Sequence, residues 1–361
     1  MAALQYDVVS YDEVSSLYTE DTPNKKGIGG SELGIITLSQ ELAREGYSVL
    51  VLNDPIDWEA THPLPEEPIV APSGVHYASW RAPRGAIECN ALVIQRFSGV
   101  PPDDIKRERT IVWLHDSSGG RNDPVSVKLQ EATSRRRNRG GAVPVFVSRW
   151  QRDTYPPDIV GRFATVIPNM LPRLVFDPRW TQTPQEDTMA FASAAARGLE
   201  ATLKAWAEPK VKIAGQTILE VMGPAYDPPP RSLGEAPGDE AALQNRVRFV
   251  GSLTLPQLLE RLSASRGLIF ANTWPETFCL LVAYVEAMGK PARFIGLSPY
   301  GPGGVEDTMA NRRFLYKADQ WDKFIDDLAG EIASSERLTV KPVREFHPEK
   351  VLPLWLDALG I

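Results

Sequence analysis

Two cysteines and four histidines are few for 361 residues, and the scarcity excludes whole classes of chemistry. Cys89 and Cys279 cannot build a disulfide framework; the composition fits a reducing compartment, and a cytoplasmic location is expected. Neither Cys nor His recurs at metal-ligand spacing. Asp54 and Asp57 are neighbours in a loop expected after a strand, and no metal is assigned to them. No apolar run approaches the roughly 18 residues that span a bilayer; the longest, Phe278–Val285, is far shorter. The first residues lack a basic region followed by an apolar stretch, so no secretory signal is expected. The formal charge of −7 argues against nucleic acid as the main partner. The cluster Arg135, Arg136, Arg137 and Arg139 reads as a solvated loop, with docking of an anionic acceptor or weak contact with a membrane surface as the alternative.

What is present is a soluble, globular composition, 43% hydrophobic and 24% charged. The length exceeds one ordinary core, so two domains are expected. Short β-rich runs alternate with helical patterns. Residues 7–11 read as a first strand. An amphipathic helix over 31–44 follows, with Leu33, Ile36, Leu38, Leu42 and Ala43 on its apolar face and Gly46 at its end. Further strands are expected at 48–53, 74–80, 91–97, 109–115 and 143–148. This βαβ alternation implies a mostly parallel sheet with right-handed crossovers.

From Pro168 to Asp187 the chain is rich in proline and polar residues, as a linker is. The alternation then restarts. Strands are expected at 188–193, at 211–214 or 218–222, and at 247–250, 268–271 and 292–295. Helices are expected at 198–206, 255–262, 278–288, 321–332 and 348–359. Residues 228–239 read as a Pro-rich surface loop. The predicted architecture is α/β: two Rossmann-like, doubly wound domains facing a central cleft at the carboxyl ends of their strands. The first covers 1–170, a linker 171–187 and the second 188–340. Residues 341–361 form a C-terminal helix expected to cross back to the first domain.

One stretch is more informative than the rest. Residues 275–291, PETFCLLVAYVEAMGKP, place Glu276 just before an apolar helix. The amides of Thr277, Phe278 and Cys279 are expected in its first turn, without intrahelical partners. Such a terminus favours an anion. A carboxylate beside an anion site is costly unless it grips something else, such as sugar hydroxyls. Gly29 and Gly30 of GIGGSE let backbone approach a ligand, and Ser31 is placed to cap the next helix. His115 and Asp116 end a strand, where polar side chains face a binding crevice.

In this order GIGGSE, VSRW, VIPN, FASAAARGLEATLKAW, VRFVGSL, ANTWPETFC and PYGPGGVEDT resemble the retaining glycosyltransferases of family 4 (glycosyl transferases group 1), which have the GT-B architecture. The resemblance runs from about Val8 to Asp307. It implies a UDP- or GDP-sugar donor held mainly by the second domain, and a glycan, lipid or small-molecule acceptor bound mainly by the first. It implies no required cofactor or divalent metal. Glu276 would bond donor-sugar hydroxyls, Arg197 the departing diphosphate, and His115 the sugar or acceptor. The donor would also be approached by Gly29, Gly30, Ser31, Gly251, Thr277, Phe278, Cys279, Leu280, Gly303 and Gly304. Helix-terminal amides and a cation can stabilise a leaving diphosphate in place of a metal.

The chain also departs from the family. A second basic residue often precedes the first by about five positions, where Ala192 stands here; Lys204 and Lys290 are weak substitutes. The second family glutamate, which grips the donor ribose, falls on Tyr284 without a gap, or on Glu286 if an insertion is offset by a deletion. These departures leave a second reading, a nucleotide-sugar-binding or scaffold protein with impaired turnover. A nicotinamide reductase is disfavoured, because GIGGSE lies too far past Tyr11 for the dinucleotide turn.

Overall fold

The computed structural model describes residues 4–12, 18–53, 67–81, 85–96, 104–119, 123–134, 142–160, 164–182, 186–223 and 245–361. Asp54, Asp57, Arg135 to Arg139 and the loop expected at 228–239 lie outside these residues. The chain divides into two compact units. One comprises 1–22, 29–171 and 345–361; the other comprises 23–28 and 172–344.

The first unit holds an eight-stranded sheet: β1 (Leu4–Asp12), β2 (Val49–Asn53), β3 (Ile69–Val70), β4 (His76–Ala78), β5 (Ile87–Gln95), β6 (Ile105–Leu114), β7 (Val143–Phe146) and β8 (Thr165–Val166). Their order is β3-β4-β2-β1-β5-β6-β7-β8. All neighbours are parallel except β3 and β4. Strands covered on both faces need continuous apolar runs rather than alternation. Val49, Leu50, Val51 and Leu52 supply one in β2, and Ala91 to Ile94 another in β5, all buried. β6 begins four residues before its expected start, because its first half, KRER, is charged and solvent-facing. Only the second half, Ile111 to Leu114, carries the apolar signal.

Helix Gly30–Arg44 buries Leu33, Ile35, Ile36, Leu38 and Leu42. The C-terminal helix Pro348–Leu359 also belongs to this unit. Its Trp355 is fully buried edge-on to Trp113 of β6, with ring centroids 4.6 Å apart. Arg109 anchors its end by donating from Nη1 to the Ala358 carbonyl at 2.9 Å.

The second unit holds β9 (Thr188–Ala192), β10 (Ile218–Met222), β11 (Val247–Gly251), β12 (Leu268–Asn272), β13 (Ala292–Gly296) and β14 (Leu315–Lys317). The order is β11-β10-β9-β12-β13-β14, parallel throughout. This is the doubly wound order. Its direction reverses between β9 and β12, as the first sheet's does between β1 and β5, and ligands of such sheets bind at the carboxyl ends beside that reversal. Of the two segments read as alternatives for one strand, 218–222 is the strand and Pro209–Ala214 is a helix.

The stretch expected to be a linker is folded. Residues Arg173–Phe176 form a 3-10 turn and Arg179–Gln182 a helical turn, and Val175, Phe176 and Trp180 are buried. Trp180 Nε1 donates to the Leu174 carbonyl at 2.6 Å. Prolines interrupt any periodicity here, so the buried aromatics were the only sign of packing.

Candidate functional site

The reversal point of the second sheet brings two predicted residues together. Arg197 ends the 3-10 turn that follows β9, and Glu276 lies in the turn that follows β12. Arg197 Nη1 donates to Glu276 Oε1 at 3.2 Å. The Glu276 side chain is 7% exposed and that of Arg197 41%. Burial raises the Glu276 carboxyl above its ordinary range, and Arg197 opposes the rise without cancelling it.

Local backbone explains why the two turns stay in register. Thr273 N donates to the Arg197 carbonyl at 3.1 Å, and the Thr273 hydroxyl to Ala196 O at 3.3 Å. Gly198 follows with φ of +134°, and a Cβ there would lie 2.1 Å from the Ala271 carbonyl oxygen, so only glycine lets the turns approach. Gly303 does the same on the other side. At φ +64° its Cβ would meet Glu276 O at 2.6 Å, while Gly304 N donates to that oxygen at 2.6 Å. Gly303 and Gly304 therefore back onto Glu276. Trp274, absent from the sequence-derived site, is 47% exposed, and Arg197 lies over its ring at 5.7 Å from the centroid.

The expected helix start needs correction here. The helix begins at Leu280, with Cys279 at its N-cap, so Thr277 and Phe278 precede it rather than forming its first turn. Phe278 and Cys279 are buried, and burial foremost, then the Glu276 charge, holds the Cys279 thiol far above its usual range. Glu286 is fully buried and occupied. Its carboxylate accepts from Ala310 N at 2.7 Å, Asn311 N at 2.9 Å and Asn311 Nδ2 at 2.8 Å. It ties the helix to the 310–311 turn; Tyr284, on the same helix, is 3% exposed. Neither substitute lysine serves the Arg197 turn. Lys204 Nζ sits over the Trp321 ring at 5.8 Å, and Lys290 Nζ donates to Ser265 O at 2.8 Å. Ala192 is a buried strand end. Gly251 ends β11 with φ of +86°, and its carbonyl accepts from Gly223 N at 3.2 Å.

The first unit gathers a second set of polar groups at the carboxyl end of its sheet. Gly29 is the N-cap of helix Gly30–Arg44, with no side-chain cap, so Ser31 lies inside the helix and does not cap it. Its hydroxyl donates to Glu32 Oε2 at 3.1 Å and accepts from Arg96 Nη2. Glu32 also pairs with Arg96 at 3.6 Å. His115 Nε2 lies 3.3 Å from Gln95 Nε2, and its ring is 4.7 Å from that of Trp113. Burial, then the Arg96 charge, pushes His115 down to about 3, so it is a neutral hydrogen-bonding group at physiological pH. Gln95 and Arg96 went unmarked in the sequence. The signal was a polar pair closing the apolar run of β5.

Among the described residues, no group of three or more His, Cys, Asp or Glu side chains is placed to hold a metal ion. Among them, too, no helix is long and apolar enough to cross a membrane.

No protein-family model matches the chain, and no curated protein matches its sequence. Solved structures do match its fold. AviGT4, a glycosyltransferase involved in avilamycin A biosynthesis, superposes with a TM-score of 0.60 at 14% identity, over 98% of this chain and 97% of that one. Sucrose-phosphate synthase from Thermosynechococcus elongatus gives 0.60 at 13% identity, over 98% and 96%. Anabaena HepE, solved with UDP-glucose, gives 0.57 at 14% identity, over 98% and 99%. The fold is thus the GT-B type expected from the sequence: two Rossmann-like α/β units, each with a parallel or mostly parallel sheet.

Proposed function

We propose that the protein is a glycosyltransferase that moves a sugar from a UDP- or GDP-sugar to an acceptor hydroxyl with retention of configuration and without a divalent metal. The observation that carries this reading is the Arg197–Glu276 pair at the reversal point of the second sheet. A cation and a buried carboxylate side by side are what a glycosyl diphosphate needs: a partner for charge at one end and for hydroxyls at the other. HepE, of the same fold, was solved with UDP-glucose, which supports a nucleotide-sugar donor.

In this reading the second unit binds the donor and the first unit the acceptor. The bond between the anomeric carbon and the diphosphate oxygen breaks, and its electron pair goes to that oxygen. The acceptor oxygen bonds the anomeric carbon on the same face and passes its proton to the leaving phosphate. Arg197 stabilises the charge that grows on the diphosphate, where a preorganised cation contributes most. Glu276 accepts from donor-sugar hydroxyls and fixes the ring.

The competing reading, a donor-binding protein with impaired turnover, is favoured by Ala192, since neither Lys204 nor Lys290 supplies the missing cation. One experiment separates them. Purified protein is incubated with a panel of UDP- and GDP-sugars in EDTA, and release of nucleoside diphosphate is followed. Slow release from at least one donor is expected. Binding of a donor with no release from any would overturn the enzyme reading. The anomeric configuration of the product, read by NMR, tests retention.

A further inference from the structure

Arg197 rests on two residues that flank Pro275. Its guanidinium carbon lies 5.7 Å from the centroid of the Trp274 ring, and Nη1 donates to Glu276 Oε1 at 3.2 Å. Ring and carboxylate stand two positions apart on one short turn, which Glu276 N closes by donating to the Trp274 carbonyl at 2.9 Å. The proline at its centre locks its own φ and restricts the residue before it. Asn272, fully buried at the end of β12, holds the other side: Oδ1 accepts from Trp274 N at 3.2 Å, and Nδ2 donates to Trp274 O. The Asn272 carbonyl accepts from Leu297 N at 2.7 Å, so the turn is also fixed to the chain leaving β13.

All of this fixing serves an exposed side chain. Trp274 is 47% exposed, and every other described tryptophan is buried or partly buried. An indole used for packing lies inside, as those of Trp113, Trp206 and Trp355 do. At Trp274 the backbone is held from three directions while the ring is left at the surface beside a cation. A guanidinium within about 6 Å of an indole centroid is attracted by the ring's electron-rich face, and indole is the strongest of the aromatic partners.

Arg197 needs such a seat. Its side chain is 41% exposed, and a long, rotamer-rich side chain at a surface loses much freedom when it is held in one place. Its hydrogen bond to Glu276 uses Nη1 alone, not the two-bond fork that fixes a guanidinium plane. In the proposed reaction Glu276 also takes up sugar hydroxyls, which compete with Arg197 for the same oxygens. The indole face keeps its hold when the carboxylate is shared. A cation that meets growing charge on a diphosphate contributes most when it is in place beforehand.

We propose that Trp274 is a positioning residue: its ring seats the Arg197 guanidinium for the donor diphosphate, while the chemistry stays with Arg197 and Glu276. The diphosphate in this statement rests on the proposed function, but the seat itself is read without turnover. In the ligand-free, full-length protein the Nε–Hε NMR signal of Arg197, identified by its absence from Arg197→Lys, is expected upfield through the indole ring current. It should move back in Trp274→Leu and stay upfield in Trp274→Phe, and both variants should melt as the wild type does. On the best donor, Trp274→Leu is expected to lower kcat about fivefold, the rate equivalent of one exposed cation–π contact, with KM little changed. Trp274→Phe should recover most of that loss. In an Arg197→Ala background Trp274→Leu should cost nothing further, the signature of two residues acting through one contact. The proposal fails if the Arg197 signal is the same in the wild type and Trp274→Leu. It fails equally if the leucine loss persists in full without Arg197, which would put the ring on the donor itself. If no donor turns over in the wild type, the enzyme reading falls, and the Arg197 signal alone decides whether Trp274 seats the guanidinium.

Discussion

Arg197 Nη1 lies 3.2 Å from Glu276 Oε1, and this contact joins the turn after β9 to the turn after β12 at the reversal of the second sheet. The two residues are 79 positions apart in sequence. Their meeting follows from the doubly wound order, which makes β9 and β12 neighbours and puts both carboxyl ends on one edge.

If Arg197 stabilises the departing diphosphate, its loss should act on the transition state more than on donor binding. Arg197→Ala is expected to lower kcat for donor turnover by about 10²- to 10³-fold, the usual effect of removing one preorganised partner of a developing charge. Arg197→Lys, which keeps the charge but not the planar fork, should recover part of it. Steady-state kinetics on the best donor checks this. An unchanged kcat in Arg197→Ala would assign Arg197 to anchoring Glu276 only.

Glu276 is held against its own solvation. Its carboxyl is raised in the folded protein, so the burial penalty exceeds what Arg197 returns. The folded state then binds a proton more readily than the unfolded state, and the contribution of Glu276 to stability falls as pH rises from the ordinary glutamate range through the raised value. Glu276→Gln keeps the shape without the charge. It is expected to abolish transfer yet melt at or above the wild-type temperature at pH 7.5, with that advantage shrinking as the pH is lowered toward 4.5. Paired thermal melts across this range check it. A variant that is less stable than the wild type at pH 7.5 would show that the carboxylate is there for the fold.

Much of this was legible in the sequence, and what was not has physical reasons. The β-rich runs 188–193, 268–271 and 292–295 were readable because strands covered on both faces are apolar throughout. Glu276 and Arg197 were reached through motif resemblance, and the structure brings them into contact. Periodicity could not find the contacts of Arg96, which has a left-handed backbone and partners 64 and 65 positions away in Glu32 and Ser31. Nor could it separate Tyr284 from Glu286, because both lie on one buried helix. Only the bonds from Ala310 and Asn311 to Glu286 show which one is already occupied. The helix start was misplaced for a similar reason: Phe278 is apolar like the helix but packs as part of the preceding turn.

Lys290 gives a second pH signature, of opposite sign. Its ammonium is buried on the Ser265 carbonyl, and burial, with a smaller push from Arg337, lowers it to about 8. Below about 8 the lysine is charged in both states and its burial is a cost. Between that value and the ordinary lysine range near 10.4 the folded state sheds the proton first, so stability gains from Lys290 as pH rises. Lys290→Met has no such gain. Urea unfolding of both proteins at pH 7.5 and 9.5 should show the wild type gaining relative to the variant at the higher pH. Parallel curves would mean that Lys290 keeps its ordinary affinity for protons.

Tyr284 is the sharpest test of how this chain departs from the glycosyltransferases it resembles. By resemblance, without a gap, this buried phenol takes the place of a family carboxylate, and burial holds it far above its usual range; under the proposed function it would meet a ribose as a neutral hydroxyl. A neutral hydrogen bond contributes about 0.5–1.5 kcal/mol, and a charge-assisted one about twice as much. Tyr284→Phe should therefore raise the donor KM about two- to tenfold with kcat little changed, because the ribose is remote from the bond that breaks. The same loss should appear in the Kd for free nucleoside diphosphate, measured by calorimetry. With the 2′-deoxy nucleotide, wild type and variant should bind alike if the phenol meets the 2′-hydroxyl. If Tyr284→Phe binds the ribonucleotide as the wild type does, the phenol is core packing, and the ribose is held by another group.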